Sequence, residues 1–214
     1  MRFADMTPTM SDILNGISLV PVVAISRKEH AVPLAQAFLA AGINTIEVTL
    51  RTDCALAAIE AIAHAVPDIS VGAGSVIEAE QMKVVTGAGA DYAVSPGYTD
   101  ELIDAACLPY LPGASTASEV LYLRDKGFRL QKFFPAQASG GLAALKAIHA
   151  PIPDVRFCPT GGLNAVTAAQ YLEHAFVEAV GGSWFIDQQA IDQGSWDSVE
   201  ASAARALATT QGKS

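Results

Sequence analysis

One lysine of this chain stands where a lysine needs a reason. The run Leu130-Gln131-Lys132-Phe133-Phe134-Pro135 reads as a β-strand closed by proline. Strand side chains alternate between faces, so Lys132 shares its face with Leu130 and Phe134. Burial disfavours an ammonium and favours the neutral amine, the form that attacks a carbonyl to make a Schiff base. The plainer role is a lysine whose long stem snorkels to water from a strand end. A second stretch alternates in the same way: Ile46, Val48 and Leu50 make an apolar face, and Thr45, Glu47, Thr49 and Arg51 make the opposite one. A central parallel strand ordinarily reads apolar on both sides, so the polar face points to a functional role. Its alternative is an internal ion pair between Glu47 and Arg51, which is costly to bury and a poor source of stability.

The elements that would position these residues repeat one rhythm. After Gly16 come a short apolar or β-branched run, a turn rich in Gly, Pro, Ser and Thr, then a stretch of helical periodicity, often ended by glycine. Strands are expected over 19–25, 45–50, 69–75, 91–95, 109–111, the Lys132 stretch, 155–158 and 176–180. Helices are expected over 31–41, 54–66, 79–86, 99–106, 118–126, 141–149, 164–174 and 196–208. A short leading helix over 8–16, started near Thr7 or Thr9 and stopped by Gly16, would cover some part of the molecule. Eight strand-then-helix units joined by short turns predict parallel strands with right-handed crossovers. The best fit is a single-domain α/β fold over 1–214, a closed (β/α)8 TIM barrel with a short N-terminal helix. An open doubly wound sheet fits less well, because Ala24-Ile25-Ser26-Arg27 stands where a G-x-G-x-x-G turn would follow the first strand.

In such a barrel the chemistry lies at the C-terminal ends of the strands, and phosphate is often held after the last two. Here those ends are Pro159-Thr160-Gly161-Gly162 and Gly181-Gly182-Ser183, which offer bare backbone N–H groups. The alternative is a pair of tight turns with no ligand. The ends Gly72-Ala73-Gly74-Ser75, Ser95-Pro96-Gly97 and Pro112-Gly113-Ala114-Ser115-Thr116 are each, taken alone, turn chemistry.

The chain has 214 residues, 51% hydrophobic and only 16% charged, enough apolar surface for a substantial core. A net charge of -9 leaves no basic footprint for nucleic acid or an anionic membrane, so any phosphate must be bound locally. The apolar runs are too short to span a bilayer, and Met1-Arg2-Phe3-Ala4-Asp5 lacks a signal peptide's apolar core, so a cytoplasmic enzyme is expected. Cys54, Cys107 and Cys158 are odd in number and widely spaced, which suits reduced thiols. His30, His64, His149 and His174 show no metal-ligand spacing, and no metal is expected.

Several of these segments resemble one family, the 2-keto-3-deoxy-6-phosphogluconate aldolases and the closely related 4-hydroxy-2-oxoglutarate aldolases. The resemblance runs from about Asp12 to Ala208. It rests on Glu47-Val48-Thr49-Leu50-Arg51-Thr52, Gly72-Ala73-Gly74-Ser75-Val76, Ser95-Pro96-Gly97, Lys132-Phe133-Phe134-Pro135-Ala136, Cys158-Pro159-Thr160-Gly161-Gly162 and Gly181-Gly182-Ser183-Trp184. It implies that Lys132 is the Schiff-base lysine, Glu47 the acid/base and Arg51 the carboxylate-binding residue. By the same resemblance Gly161, Gly162 and Ser183 contact phosphate, while Pro96, Phe134 and Thr160 line the substrate pocket. Ser75 departs from the pattern, since the family usually has threonine there; the hydroxyl is kept and a methyl is lost.

The implied reaction is class I, metal-free and cofactor-free cleavage of 2-keto-3-deoxy-6-phosphogluconate to pyruvate and glyceraldehyde 3-phosphate in the Entner-Doudoroff pathway. The implied partners are these small molecules and, as is typical of the family, two further copies in a homotrimer. Within the family, 4-hydroxy-2-oxoglutarate and the galactonate epimer are alternative substrates; galactonate-type relatives tend to carry valine where Thr160 stands. A metal-dependent pyruvate aldolase would need a carboxylate or histidine cluster that the sequence lacks. A non-catalytic sugar-phosphate-binding barrel would have no need of Lys132 and Glu47.

Overall fold

The computed structural model describes residues 8–211; Met1-Arg2-Phe3-Ala4-Asp5 and Thr7 lie outside the described residues. The leading helix α1 spans Met10–Ile13, shorter than expected. Thr9 starts it: Thr9 Oγ1 accepts from Asp12 N–H at 3.3 Å, and the Asp12 carboxylate accepts from Thr9 N–H at 2.8 Å, a reciprocal cap. Strand β1 (Leu19–Val23) leads through a 3-10 turn at Lys28–His30 into α2 (Ala31–Ala40), and β2 (Thr45–Thr49) into α3 (Ala55–Ala65). Next come β3 (Ser70–Gly74) with α4 (Ala79–Gly87), and β4 (Tyr92–Val94) with α5 (Asp100–Asp104). Two short strands, β5 (Tyr110–Leu111) and β6 (Gly113–Ala114), precede α6 (Ala117–Asp125). Then follow β7 (Leu130–Phe133) with α7 (Gly141–His149), and β8 (Arg156–Pro159) with α8 (Ala165–Leu172). The last unit is β9 (Val180–Gly182), a short α9 (Gln188–Asp192) and the long α10 (Trp196–Gln211).

The strand ladders are all parallel. A six-stranded sheet, in the order β5-β4-β3-β2-β1-β9, makes a half-barrel, and β6-β7-β8 form a second sheet. The sequence predicts one closed ring of eight strands; the ladders among the described residues form two sheets instead. Pro112 accounts for one boundary. It has no N–H to give a ladder, and the chain changes partner across it, with Leu111 paired to Val94 and Gly113 to Lys132. At the other boundary only isolated bridges occur, from Phe157 to Val177 and from Thr160 to Gly181.

The strand expected at 176–180 is displaced to Val180–Gly182, where it pairs with Leu19, Val20 and Pro21. Gly181, expected in a turn, lies in that ladder, and glycine is required there because a Cβ would stand 2.4 Å from Thr160 Oγ1. Helix α9 was not expected, although Asp187 marks its start by accepting from the N–H groups of Gln189 and Ala190.

Strand alternation sorts the apolar side chains into two clusters. Leu19, Ile46, Val48, Val71, Phe133 and Phe157 pack with the helices. Val20, Tyr92, Val94, Leu111, Leu130, Cys158 and Ala179 form an inner cluster that also takes in Met10 and Leu14. Val20, Tyr92 and Leu130 stand at or next to the N-terminal ends of their strands, so α1 covers that end and leaves the C-terminal ends open for a site.

Candidate active site

Lys132 and Glu47 meet. Each occupies the third position of its strand, β7 and β2 respectively, and Lys132 Nζ donates to Glu47 Oε1 at 3.1 Å. The lysine is 5% exposed and the glutamate 3%, so Lys132 does not snorkel to water. The carboxylate has room because β3 carries glycine beside it: a Cβ on Gly74, which pairs with Thr49, would stand 2.3 Å from Glu47 Oε1. Phe134, just past β7, sets its ring 5.4 Å from Nζ, close enough for a cation–π contact.

Beneath the pair lies a layer that sequence alternation could have found, since Tyr92 shares a strand face with Val94. The Tyr92 hydroxyl and Thr45 Oγ1 are 2.9 Å apart, and Thr45 Oγ1 donates to Ser70 O at 3.2 Å. Burial, and then the charge of Glu47, push the Tyr92 phenol well above its ordinary value. Cys158 pairs in register with Lys132; burial pushes its thiol up to about 12, although the charge of Lys132 pulls the other way. All three cysteines are free thiols, with Cys158 buried and Cys107 exposed.

The alternative reading, an internal ion pair between Glu47 and Arg51, does not occur. The β2–β3 ladder ends at Thr49, and Arg51, two residues on, turns out to solvent. Its Nε donates to Thr49 Oγ1 at 3.1 Å, and Thr49 Oγ1 donates to Val23 O at 3.0 Å. Among the described residues no carboxylate pairs with Arg51.

The remaining candidates ring the open end. Ser75 directly follows β3, half-buried, with φ of 59°, a left-handed conformation uncommon outside glycine. Pro96 and Phe134 line a cavity of about 310 Å³ together with Tyr98, Ser115 and Glu119. Ser95 Oγ holds the Pro96 loop by donating to Gly97 O, and it lies 2.6 Å from the Tyr110 hydroxyl. Thr160, 5% exposed, donates from Oγ1 to Cys158 O at 3.3 Å. Gly161 and Gly162 follow it with φ of 104° and 76°, and a Cβ on Gly161 would stand 3.2 Å from the Phe134 ring. Ser183 is exposed just past β9, where its carbonyl accepts from Ile186 N–H at 3.0 Å. Lys132, Glu47, Phe134 and Gly161 thus form one contiguous group, while Arg51 and Ser183 are both exposed. Among the described residues no three His, Cys, Asp or Glu side chains converge as a metal site would require, and no helix is long and apolar enough to cross a membrane.

Comparison with known proteins identifies the chain's relatives. The KDPG and KHG aldolase family matches residues 10–202. The 2-dehydro-3-deoxy-phosphogluconate aldolase of Dickeya dadantii (strain 3937) is 47% identical over 199 residues, 92% of this chain and 93% of the relative. The KHG/KDPG aldolase of Escherichia coli (strain K12) is 46% identical over 190 residues, 87% and 89% of the two chains. Among solved structures, a KDPG aldolase from Legionella pneumophila, with pyruvate captured at low pH as a covalent carbinolamine intermediate, superposes with a TM-score of 0.90. It is 39% identical, and the match covers 94% of this chain and 98% of that one. The 2-keto-3-deoxy-6-phosphogluconate aldolase of Zymomonas mobilis ZM4, solved with 3-phosphoglycerate, gives a TM-score of 0.87 at 39% identity, covering 93% and 95%. With the family's match spanning nearly all of the described residues, the chain belongs to the KDPG and KHG aldolases and is a carbon–carbon lyase.

Proposed function

We propose that the chain cleaves 2-keto-3-deoxy-6-phosphogluconate reversibly to pyruvate and glyceraldehyde 3-phosphate, with Lys132 as the nucleophile and Glu47 as the proton carrier. The observation that carries this is the buried contact at 3.1 Å between Lys132 Nζ and Glu47 Oε1. At that distance Glu47 is placed to take a proton from the ammonium and free the amine. The amine attacks the C2 ketone, the oxygen of the resulting carbinolamine is protonated and leaves as water, and an iminium remains. Loss of the C4 hydroxyl proton then lets the C3–C4 bond break, its electron pair passing into the iminium to give an enamine as glyceraldehyde 3-phosphate departs. Protonation at C3 and hydrolysis of the imine release pyruvate and return Lys132. Glu47 carries these protons directly or through a water. No cofactor is called for.

Arg51 orients the substrate carboxylate, a task its planar guanidinium suits. Ser75, Pro96, Phe134 and Thr160 line the pocket, and Gly161, Gly162 and Ser183 bind the phosphate. The relatives named for the phosphogluconate substrate support this choice. The dual name of the Escherichia coli relative favours 4-hydroxy-2-oxoglutarate as a second substrate on the same Lys132 and Glu47. Thr160, where galactonate-type relatives tend to carry valine, favours the gluconate epimer.

The two sheets are, in this proposal, arcs of one (β/α)8 barrel that makes a single domain, with the bridges from Thr160 and Phe157 as its seam. The enzyme works in the cytoplasm in the Entner-Doudoroff pathway, as a homotrimer. Leu56, Ile77 and Val84, large apolar side chains left exposed, support its assembly with further copies. The test is borohydride reduction in the presence of pyruvate, followed by peptide mapping. The expected result is a single adduct on Lys132; an adduct on another lysine, or none, overturns the mechanism.

A further inference from the structure

We propose that Gln137 is a positioning residue for the Gly161-Gly162 turn and thereby sets the preference for phosphorylated substrate. The proposal rests on that turn binding phosphate. Gln137 lies in the loop between β7 and α7, and its main chain is committed on both sides. Its N–H donates to Gly161 O at 3.1 Å, and its carbonyl accepts from Gly140 N–H at 3.3 Å. The neighbouring Ala136 N–H donates to Thr160 O at 2.8 Å, so the loop is tied to the segment that leaves β8 by two consecutive hydrogen bonds.

The side chain then folds over the same turn. Its Cβ and Cγ lie 3.0 and 3.3 Å from where a Cβ on Gly162 would stand, and its Oε1 lies 3.3 Å from the corresponding point on Gly141. On the opposite side Gly161 is backed by the Phe134 ring at 3.2 Å and by Pro135 Cα at 3.3 Å. The two glycines are therefore gripped between Phe134, which also covers Lys132, and the methylenes of Gln137.

That grip matters because both glycines hold a positive φ that no side chain of their own enforces. Backbone N–H groups bind an anion well only when aimed at it, since hydrogen bonds weaken steeply with misalignment. Without the methylenes the turn loses its fixed aim. The loss falls equally on bound substrate and transition state, because the phosphate does not change during the reaction, so KM rises while kcat stays. Pyruvate carries no phosphate, and its half-reaction at Lys132 is untouched.

The test compares Gln137→Ala, Gln137→Asn and Gln137→Met in two assays, cleavage of 2-keto-3-deoxy-6-phosphogluconate and exchange of the pyruvate C3 protons in deuterated water. Gln137→Ala should raise KM for cleavage about tenfold or more, the worth of one misaimed hydrogen bond to a charged group, with kcat and pyruvate exchange near the parent values. Gln137→Met, which keeps the methylenes and loses the amide, should restore KM, and so should Gln137→Asn, whose Cβ and Cγ stand at the two contacting positions. Rescue by asparagine but not by methionine, an unchanged KM in the alanine variant, or equal losses in both assays overturns the proposal. Gly162→Ala separates its failure from that of the phosphate site. If that variant damages exchange as much as cleavage, the turn does not bind phosphate. If it damages cleavage alone while Gln137→Ala changes neither assay, only the role of Gln137 falls.

Discussion

Glu47 meets Lys132 at 3.1 Å, and not Arg51 of its own strand stretch, which is exposed. The difference changes what a substitution does. Glu47→Gln keeps size and some hydrogen bonding but cannot carry a proton, so kcat should fall about 10²–10⁴-fold, the usual worth of a positioned proton-transfer group. Removing one partner of a buried ion pair ordinarily costs about 3–5 kcal/mol because the other charge is left alone. Glu47→Gln should therefore lose stability of that order as well as turnover, with pyruvate C3–H exchange slow. Denaturant melts and exchange rates check both halves, and a folded variant that exchanges at the parent rate removes Glu47 from the mechanism. Alternation along each strand was enough to single out Lys132 and Glu47 from sequence. Which residue Glu47 meets was not legible, because β2 and β7 lie in different sheets and their pairing leaves no signal in local alternation.

Among the elements, the βα rhythm was legible wherever a strand has β-branched or apolar residues and its helix a stop. It failed at two places where glycine or proline sits inside the sheet. Gly181 and Gly182 read as turn residues yet form most of β9, where close approach by Thr160 and Trp184 leaves no room for a Cβ. Pro112 reads as the end of a strand but stands between two, each with a different partner. The leading helix was expected to cover something, and Met10 and Leu14 join the inner cluster. Leu14 is only 1% exposed, so Leu14→Ala should destabilise the fold by about 2–5 kcal/mol, the usual cost of truncating a buried leucine. Its effect on kcat should stay small, since α1 covers the end of the strands opposite the Lys132–Glu47 pair. Urea titration and steady-state kinetics on one preparation check this. A stable variant with damaged turnover would mean that the two ends of the strands are coupled.

For the whole molecule, the buried thiol and phenols predict how the fold fails in alkali. Burial raises the Cys158 thiol from 9.0 to about 12 and the Tyr110 phenol from 10.0 to about 12. It likewise raises Tyr171 to about 12 and pushes Tyr92 up further, with the charge of Glu47 adding to the effect. Each raised value means that the fold prefers the neutral form. The stability these groups contribute is fully present below their ordinary values and is lost as pH climbs from there through the folded values. The melting temperature should accordingly fall steeply between about pH 9 and pH 12, where free thiols and phenols begin to ionise in the unfolded chain alone. A net charge of -9 steepens the fall, since every thiolate or phenolate released adds to the self-repulsion of the compact state. Phenolate absorbance gives the discriminating measurement. Tyr98 and Tyr122, stacked on each other near the surface, should titrate ahead of the other three. Tyr92, Tyr110 and Tyr171 should ionise only together with the loss of secondary structure. If all five ionise near pH 10, the ordinary phenol value, with the circular dichroism of the folded chain intact, then water reaches the interior and the layer of Tyr92 and Cys158 beneath Lys132 and Glu47 is open to solvent.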